Sequence, residues 1–537
     1  MAINYTQDQL KVIELHGCNV LVSAAAGSGK TAVLVERIIR MICDEAHPVD
    51  IDRLLIVTFT NAAAAEMRER IADGIARRLE ECPASEHLQR QSALLHNAQI
   101  TTIDSFCLFI IRNHFNEIGL DPAFRVADEG EIKLLQQEVL AQLLEDAFKA
   151  GTEAFHEAVE YFCPGGREQV LEEHILNLSR YAASFPWPQG WLQARKKDYQ
   201  AGTKEELLAS DYGRFLYGHV GKLLQGCLNK LKTVQKLCEQ PDGPYMYGEL
   251  VDQELEQLER VMAATDFEQM GLGLETMDFK RLPTKKDDSV DPQKREYAKN
   301  LRSQVKDQLK DISEKLYGTP LPLAVTQGVA CAGPINTLLD LVLDFNARMQ
   351  EKKQERKILD FSDMEHYALD ILLEHGEPDE EGVVTMTPSQ VALEYRRYFE
   401  EILIDEYQDS NHVQELLLGV ISGEEEGHFN RFMVGDVKQS IYKFRLAEPG
   451  IFLEKYESYT DTGDKCRIDL SKNFRSRAQV VASVNQVFQR IMTKDTCGME
   501  YDEKAMLYQG ADYYPENKGC ETELLVVQKP ERKRNWM

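Results

Sequence analysis

The chain has 537 residues, 43% hydrophobic and 28% charged; it is too long for one ordinary domain, long enough for about three or four, and too apolar for global disorder. With 62 Lys and Arg against 89 Asp and Glu the formal net charge is −27, which excludes a general polyanion binder: any nucleic-acid contact must use a local groove, not the net field. The start MAINYTQDQLKV shows neither a basic nor an apolar leader, no apolar run approaches the ~20 residues of a membrane span, and the 11 cysteines include no C-x-x-C, so a reduced, cytoplasmic setting is expected rather than a disulfide framework or zinc ribbon.

Residues 1–115 alternate strand and helix patterns. NVLVSAA (Asn19 to Ala25) reads as a short buried strand, followed by the helical spacing of KTAVLVERIIRMI. RLLIVTF (Arg53 to Phe59) is a second strand, the Ala-rich NAAAAEMRERIADGIARRL a helix, and QITTID (Gln99 to Asp104) a third strand. Such alternation predicts a parallel sheet with right-handed crossovers. From about 116 to 355 the pattern becomes mostly helical. EIKLLQQEVLAQLLEDAF (Glu131 to Phe148) and INTLLDLVLDFNARM (Ile335 to Met349) carry helical apolar stripes, with turn chemistry between them such as QPDGPYMYG (Gln240 to Gly248). Strand patterns return at EILIDEY (Glu401 to Tyr407), RFMVGD (Arg431 to Asp436) and CRIDLSKNF from Cys466. A helix, AQVVASVNQVFQRIM, and a strand, ETELLVVQ, are expected after that.

Residues 24–31 read AAAGSGKT between a strand and a helix, the setting of a phosphate-binding loop. Gly27 and Gly29 can take positive φ and let backbone N–H groups curl around phosphate oxygens. The helix start adds partial positive charge. Lys30 would reach the β- and γ-phosphates, and the Thr31 hydroxyl would hold Mg²⁺. Ala24 stands where the common pattern has its first glycine. Taken alone, the segment also fits a Gly-rich turn with a surface lysine.

LIDEYQDS (Leu403 to Ser410) puts Asp405 and Glu406 at the C-terminal end of an apolar strand, the edge where open α/β sheets bind ligands. Asp405 suits Mg²⁺ coordination through water, and Glu406 suits orienting and deprotonating an attacking water. A solvated acidic turn is the other reading. For these residues to meet Lys30, the helical block must loop out of a single sheet.

The order of these and further motifs resembles a superfamily 1 helicase of the UvrD/RecB type. YTQDQ resembles the glutamine motif, TFTNAAAAEM (Thr58 to Met67) motif Ia, TTIDSFC (Thr101 to Cys107) the next DNA-contacting motif, VGDVKQSIYKFRLA (Val434 to Ala447) motif III and LSKNFRS (Leu470 to Ser476) motif IV. SAAAGSGKT, DFSDMEHYAL (Asp360 to Leu369) and the RLPTKKDD loop are similar to the AddA (RexA) family of helicase/nuclease subunits, up to about residue 527. The family's motifs V and VI and its nuclease domain are not found, so an N-terminal portion or truncated product is expected.

The resemblance implies an α/β fold: a RecA-like P-loop NTPase domain from 1–115 plus 356–467, a large helical insertion at 116–355, and an incomplete second RecA-like domain over 468–537. It implies ATP and Mg²⁺ as cofactors. Ala24, Ala25, Ala26, Gly27, Ser28, Gly29, Lys30 and Thr31 would line the phosphates, and Gln9 would read the adenine edge. Gln439 would sense the γ-phosphate, and Arg475 would reach it from the second domain. Single-stranded DNA would meet Phe59, Thr60, Asn61, Ser105, Tyr442, Phe444 and Arg445, aromatics interleaved with cations suiting base stacking; each aromatic taken alone reads more readily as core than as platform, an order that the motif context reverses for Phe444 and evens out for Phe59 and Tyr442.

The basic stretch 276–310, including Lys285, Lys286, Lys294 and Arg295, would track duplex phosphates or be a solvated face. The implied function is a 3′→5′ ATP-driven DNA motor in double-strand break repair and recombination, acting on single strands and duplex ends beside a second subunit of AddB type. An ATP- and DNA-binding remnant with little turnover is the alternative, and an unrelated P-loop switch of the ABC type, whose signature motif is missing, is a third.

Overall fold

The computed structural model describes residues 5–44, 46–284, 287–378, 384–514 and 522–527. The chain forms two compact units, one of residues 1–140, 178–188 and 346–537, the other of residues 141–177 and 189–345.

The first unit is built on six strands: β1 (Asn19–Ala24), β2 (Leu54–Thr58), β3 (Gln99–Thr102), β4 (Glu401–Ile404), β5 (Arg431–Gly435) and β6 (Lys465–Leu470). Their order is β6-β1-β5-β4-β2-β3 and every pairing is parallel. Strands that far apart in sequence share one sheet because the inner ones, β1, β2, β4 and β5, are short, mostly apolar runs, as a sheet covered on both faces requires, while the edge strands β3 (QITT) and β6 (KCRIDL) alternate buried with less buried positions. Val20, Val22, Leu54, Ile56, Leu403, Phe432, Val434 and Ile468 pack on one face. Leu21, Leu55, Val57, Ile402, Ile404 and Met433 pack on the other. The first face is covered by α1 (Gln7–Glu14), α2 (Lys30–Cys43) and α3 (Asn61–Glu81), the second by α4 (Ile103–His114), α5 (Phe361–Leu372) and α6 (His412–Val420). An all-parallel sheet gathers the C-terminal ends of all its strands on one edge, so the six loops that follow them face a common region.

Five of these helices start under a side-chain cap, from Thr6, Thr60, Thr102, Asp360 and Asn411. The start of α2 is capped by Gly29, which offers no side chain, so its first N–H groups stay open to a ligand.

Two expected boundaries move. Residue 468 lies inside β6, whose whole length pairs with β1, so 468–470 complete the first sheet instead of opening a new domain. The helical insertion, expected at 116–355, is narrower: 116–140, 178–188 and 346–355 cluster with the sheet unit. Residues 471–514 also belong to that unit, with small cores at Ala25, Val481 and Leu507 and at Met492, Tyr501 and Ala505. Residues 522–527 form no strand, contrary to the pattern of ETELLVVQ, and Leu524 to Val527 are exposed; alternation alone cannot make a strand without a partner edge.

Among its described residues the second unit contains helices joined by loops and no strand. Its core joins the helices Asp211–Cys238, Gly248–Met262, Phe267–Glu275 and Pro292–Leu316. Part of the basic stretch serves the unit's own fold: Lys294 pairs with Asp242 at 2.6 Å, Arg295 Nε donates to Tyr247 Oη at 3.0 Å, and Arg302 forks onto buried Glu254. Lys285 and Lys286 lie outside the described residues. One helix, Leu321–Arg356, is long and apolar enough by composition to cross a membrane, with a window of mean hydropathy 1.3 of which 33% is buried. That corrects the expectation that no segment reaches this length; the core helix of a soluble protein meets the same measure. The ten described cysteines are all free.

Candidate functional site

The loop after β1 has the geometry its composition implies. Gly27 and Gly29 sit at φ 73° and 83°, a region a Cβ disfavours. Ala24 is still strand and has no positive φ, so the missing first glycine costs nothing there. Ala25 N–H donates to Leu470 O at 2.9 Å and Ser28 N–H to Ala25 O at 3.0 Å, which closes the turn. Ser28 Oγ is buried without a partner. Gln9 props the loop from below: its Nε2 donates to Ser28 O at 3.0 Å while its Oε1 accepts from Thr6 N–H at 2.9 Å. Both ends of the amide on which adenine recognition was expected are thus engaged with the protein.

Lys30 and Glu406, 376 positions apart, are joined by an ion pair of 3.1 and 3.2 Å. Glu406 stands in the left-handed region at φ 53°, a strained conformation for a non-glycine residue that turns its carboxylate toward the loop. Its backbone N–H donates to Asp405 Oδ1 at 3.0 Å. Burial raises the Asp405 carboxyl to about 6, with the Glu406 charge adding and the Lys30 charge opposing. Thr31 follows Lys30 on the first turn of α2 and is half-buried.

Sequence reading missed Gln408. It is almost fully buried; its Nε2 donates to Glu406 Oε2 and to Asp409 Oδ2, both at 2.9 Å, and its Oε1 accepts from Asp436 N–H at 3.0 Å. Asp436 in turn accepts from Gln439 Nε2 at 2.7 Å and pairs with Lys438 at 2.8 Å. A continuous polar chain therefore runs Lys30, Glu406, Gln408, Asp436, Gln439. A glutamine two places after an acidic pair carries a signal only once the fold sets the β5 loop beside it.

The loop after β6 lies against the loop 24–31. Phe474 N–H donates to Gly27 O at 2.8 Å and Asn473 Nδ2 to Ala26 O at 2.7 Å. Arg475 is brought to the same place: a Cβ on Gly27 would meet Arg475 Cβ at 2.9 Å.

The loops after β2, β3 and β5 build a second constellation on the same edge. Phe59 and Tyr442 pack as tilted rings with centroids 4.4 Å apart, Phe444 follows at 5.8 Å from Tyr442, and the Arg445 guanidinium lies 5.8 and 5.7 Å from the first two rings. Phe444 is 67% exposed, so it is no core residue. Phe59, Thr60, Asn61, Ser105 and Arg445 line a cavity of about 430 Å³. Asp104, Phe361 and Met364 also line it and were not foreseen. Burial raises the Asp104 carboxyl, against the pull of Arg445. Thr60 also caps α3 through Ala63 N–H at 3.1 Å, and Ser105 bonds Thr102 at 2.9 Å.

Helix α5 connects these parts through Glu365, whose carboxylate accepts from Gln414 Nε2 at 2.6 Å and Asn411 Nδ2 at 3.2 Å. Burial lifts this carboxyl to about 7; the two amides oppose the rise and Asp104 adds to it. Since that lies above the ordinary 4.5, the folded chain holds the proton more tightly than the unfolded one. Stability from this group is full below about 4.5 and falls as pH climbs to about 7, by roughly 3 kcal/mol. Glu365→Gln should erase the slope: between pH 5 and 8 the variant gains about 2–3 kcal/mol relative to wild type in urea unfolding. Parallel pH profiles would show that Glu365 does not titrate in this range.

Among the described residues no cluster of three or more His, Cys, Asp and Glu forms a metal cage.

The UvrD/REP helicase N-terminal domain family model matches residues 5–460. The chain is 46% identical over 518 residues to the A subunit of the ATP-dependent helicase/nuclease of Lachnoclostridium phytofermentans, covering 95% of this chain and 37% of that protein. It is 43% identical over 531 residues to the protein of the same name from Bacillus licheniformis, covering 98% and 42%. For Clostridium beijerinckii the values are 42% over 525 residues, 96% and 41%. The chain thus spans about two fifths of the length of these relatives.

Proposed function

Because this chain belongs to the UvrD/REP helicase N-terminal domain family, we propose that it is the ATP-driven DNA motor portion of an AddA-type helicase/nuclease. The carrying observation is the Lys30–Glu406 ion pair on the sheet edge that also bears the Phe59–Tyr442–Phe444 cluster. In this reading the parallel sheet serves as a RecA-like motor domain, and the segment after β6 would begin a second one.

The phosphate loop 24–31 would cradle ATP, with the open start of α2 and the two left-handed glycines presenting backbone donors. Lys30 would exchange its carboxylate partner for phosphate. Asp405 and Thr31 would hold Mg²⁺ together with phosphate oxygens, the sparse protein ligation this ion favours; a buried carboxylate that resists ionisation gains from a cation nearby. When bound, MgATP supplies the phosphoanhydride whose cleavage drives the cycle. Glu406, held by Gln408, orients a water and takes its proton. Arg475, at Gly27, stabilises charge on the phosphates. Gln408, Asp436 and Gln439 link this hydrolytic half to the loop bearing Tyr442, Phe444 and Arg445, on which bases of single-stranded DNA stack. By family resemblance the motor moves 3′→5′ in the cytoplasm, acts in break repair and recombination, and works beside a second subunit of AddB type.

The test is single-turnover ATP hydrolysis with and without oligo-dT. Stimulation by DNA that Lys30→Ala reduces at least ~100-fold is expected. Binding of ATP and DNA without turnover would instead make the chain a binding module, and indifference to DNA would refute the motor.

A further inference from the structure

We propose that Asn473 is a positioning residue that pins Arg475 to the phosphate loop; the inference rests on the function just proposed. Asn473 is 4% exposed and lies in the short strand Lys472–Asn473, which pairs with Tyr508–Gln509. Its carboxamide works at both ends. Nδ2 donates to Ala26 O at 2.7 Å, and Oδ1 accepts from Arg475 N–H at 2.9 Å and Ser476 N–H at 2.7 Å. Its own backbone O accepts from Gly510 N–H at 2.8 Å, and the next residue, Phe474, donates to Gly27 O at 2.8 Å. The fit is close: a Cβ at Gly27 would approach Asn473 Nδ2 to 2.8 Å.

A carboxamide places a donor and an acceptor on two separate atoms of one short stem, as these bonds require. One end folds the chain so that Arg475 leaves the turn at a set angle, and the other ties that turn to a carbonyl of the loop that would hold the phosphates. Arg475 itself is exposed, so its long side chain is not fixed by burial. Its reach toward phosphate is then governed by where its Cα is held. Misplacement of a charged group by about 1 Å can cost ~100-fold in rate.

Turnover with oligo-dT, and affinity for ADP and for ADP–aluminium fluoride, are compared in wild type, N473A, N473D, R475A and the N473A/R475A double variant. N473A is expected to slow turnover ~10–100-fold and weaken the fluoride complex by a like factor, with ADP affinity within about threefold of wild type. The double variant should be no worse than R475A, as for residues acting as one unit. N473D keeps the acceptor for the Arg475 and Ser476 amides but cannot donate to Ala26. It should match N473A and also speed hydrogen exchange at the Phe474 amide. Multiplying losses in the double variant, equal losses for ADP and the fluoride complex, or wild-type behaviour of N473D would overturn the proposal. If wild type binds no nucleotide, the functional reading fails instead; the tether is still judged by Phe474 exchange in N473D, unchanged exchange refuting it.

Discussion

Glu406→Gln should lower DNA-stimulated ATP hydrolysis about 10²–10⁴-fold while nucleotide binding survives or tightens a few-fold. The amide cannot accept a proton from water, so the expected loss falls on turnover. The binding effect has a separate origin. Lys30 is held by Glu406 at 3.1 Å, and a phosphate that binds Lys30 must displace that partner. The pair is only partly shielded, with side-chain exposures of 13% and 36%, so freeing Lys30 is worth ~1 kcal/mol or less. Gln has nearly the shape of Glu and the same backbone demands, so the strained φ of 53° is common to variant and wild type. Turnover and binding of a fluorescent nucleotide, measured on the same preparations, check both halves. Unimpaired turnover would remove Glu406 from the role of base.

Arg37→Ala should cost about 3–5 kcal/mol of stability, among the largest single losses this fold can suffer. Arg37 is 1% exposed. Its guanidinium donates to Glu401 Oε1 from Nε at 3.0 Å and Nη2 at 2.5 Å, to Val12 O at 2.8 Å and to Leu15 O at 2.7 Å. It also lies 4.6 Å from the Phe432 ring centroid. One side chain therefore joins the end of α1, the phosphate-loop helix α2, the acidic strand β4 and its neighbour β5. Truncation strands two carbonyls and leaves Glu401 buried without its cation, while Glu401 Oε2 already lacks a partner. Replacing Arg37 and Glu401 together by Met and Leu should cost much less than Arg37→Ala alone, because no unpaired charge remains. Urea unfolding of the single and double variants measures this, and a double variant as unstable as the single one would contradict it.

How much was legible in advance follows from what each residue needs to be recognised. Strands β1, β2, β4 and β5 are continuous apolar runs, and a run buried on both faces advertises itself without knowledge of its neighbours. The proposed phosphate loop is local for the same reason: Gly27 and Gly29 show themselves through their own φ angles and Lys30 through the helix it begins. Asp405 and Glu406 are legible because they end a strand. Phe444 is half a case. Its flanking cations suggest a nucleic-acid face, but only its 67% exposure separates it from core.

Local pattern determined most helix and strand types, the position of the glycine loop 24–31 and the acidic strand end. Packing alone decided the rest. Strand β6 joins the first sheet, moving a boundary past residue 470, because the free edge of β1 accepts it in register from Asn19 to Ala24. Gln9 is turned inward because Ser28 O lies within reach of its amide. Gln408 and Asn473 owe their importance to bonds with Asp436, 28 positions away, and Ala26, 447 positions away. A hydrogen bond across such a span leaves no periodicity in the chain. It exists only once the sheet has gathered the ends of its strands on one edge.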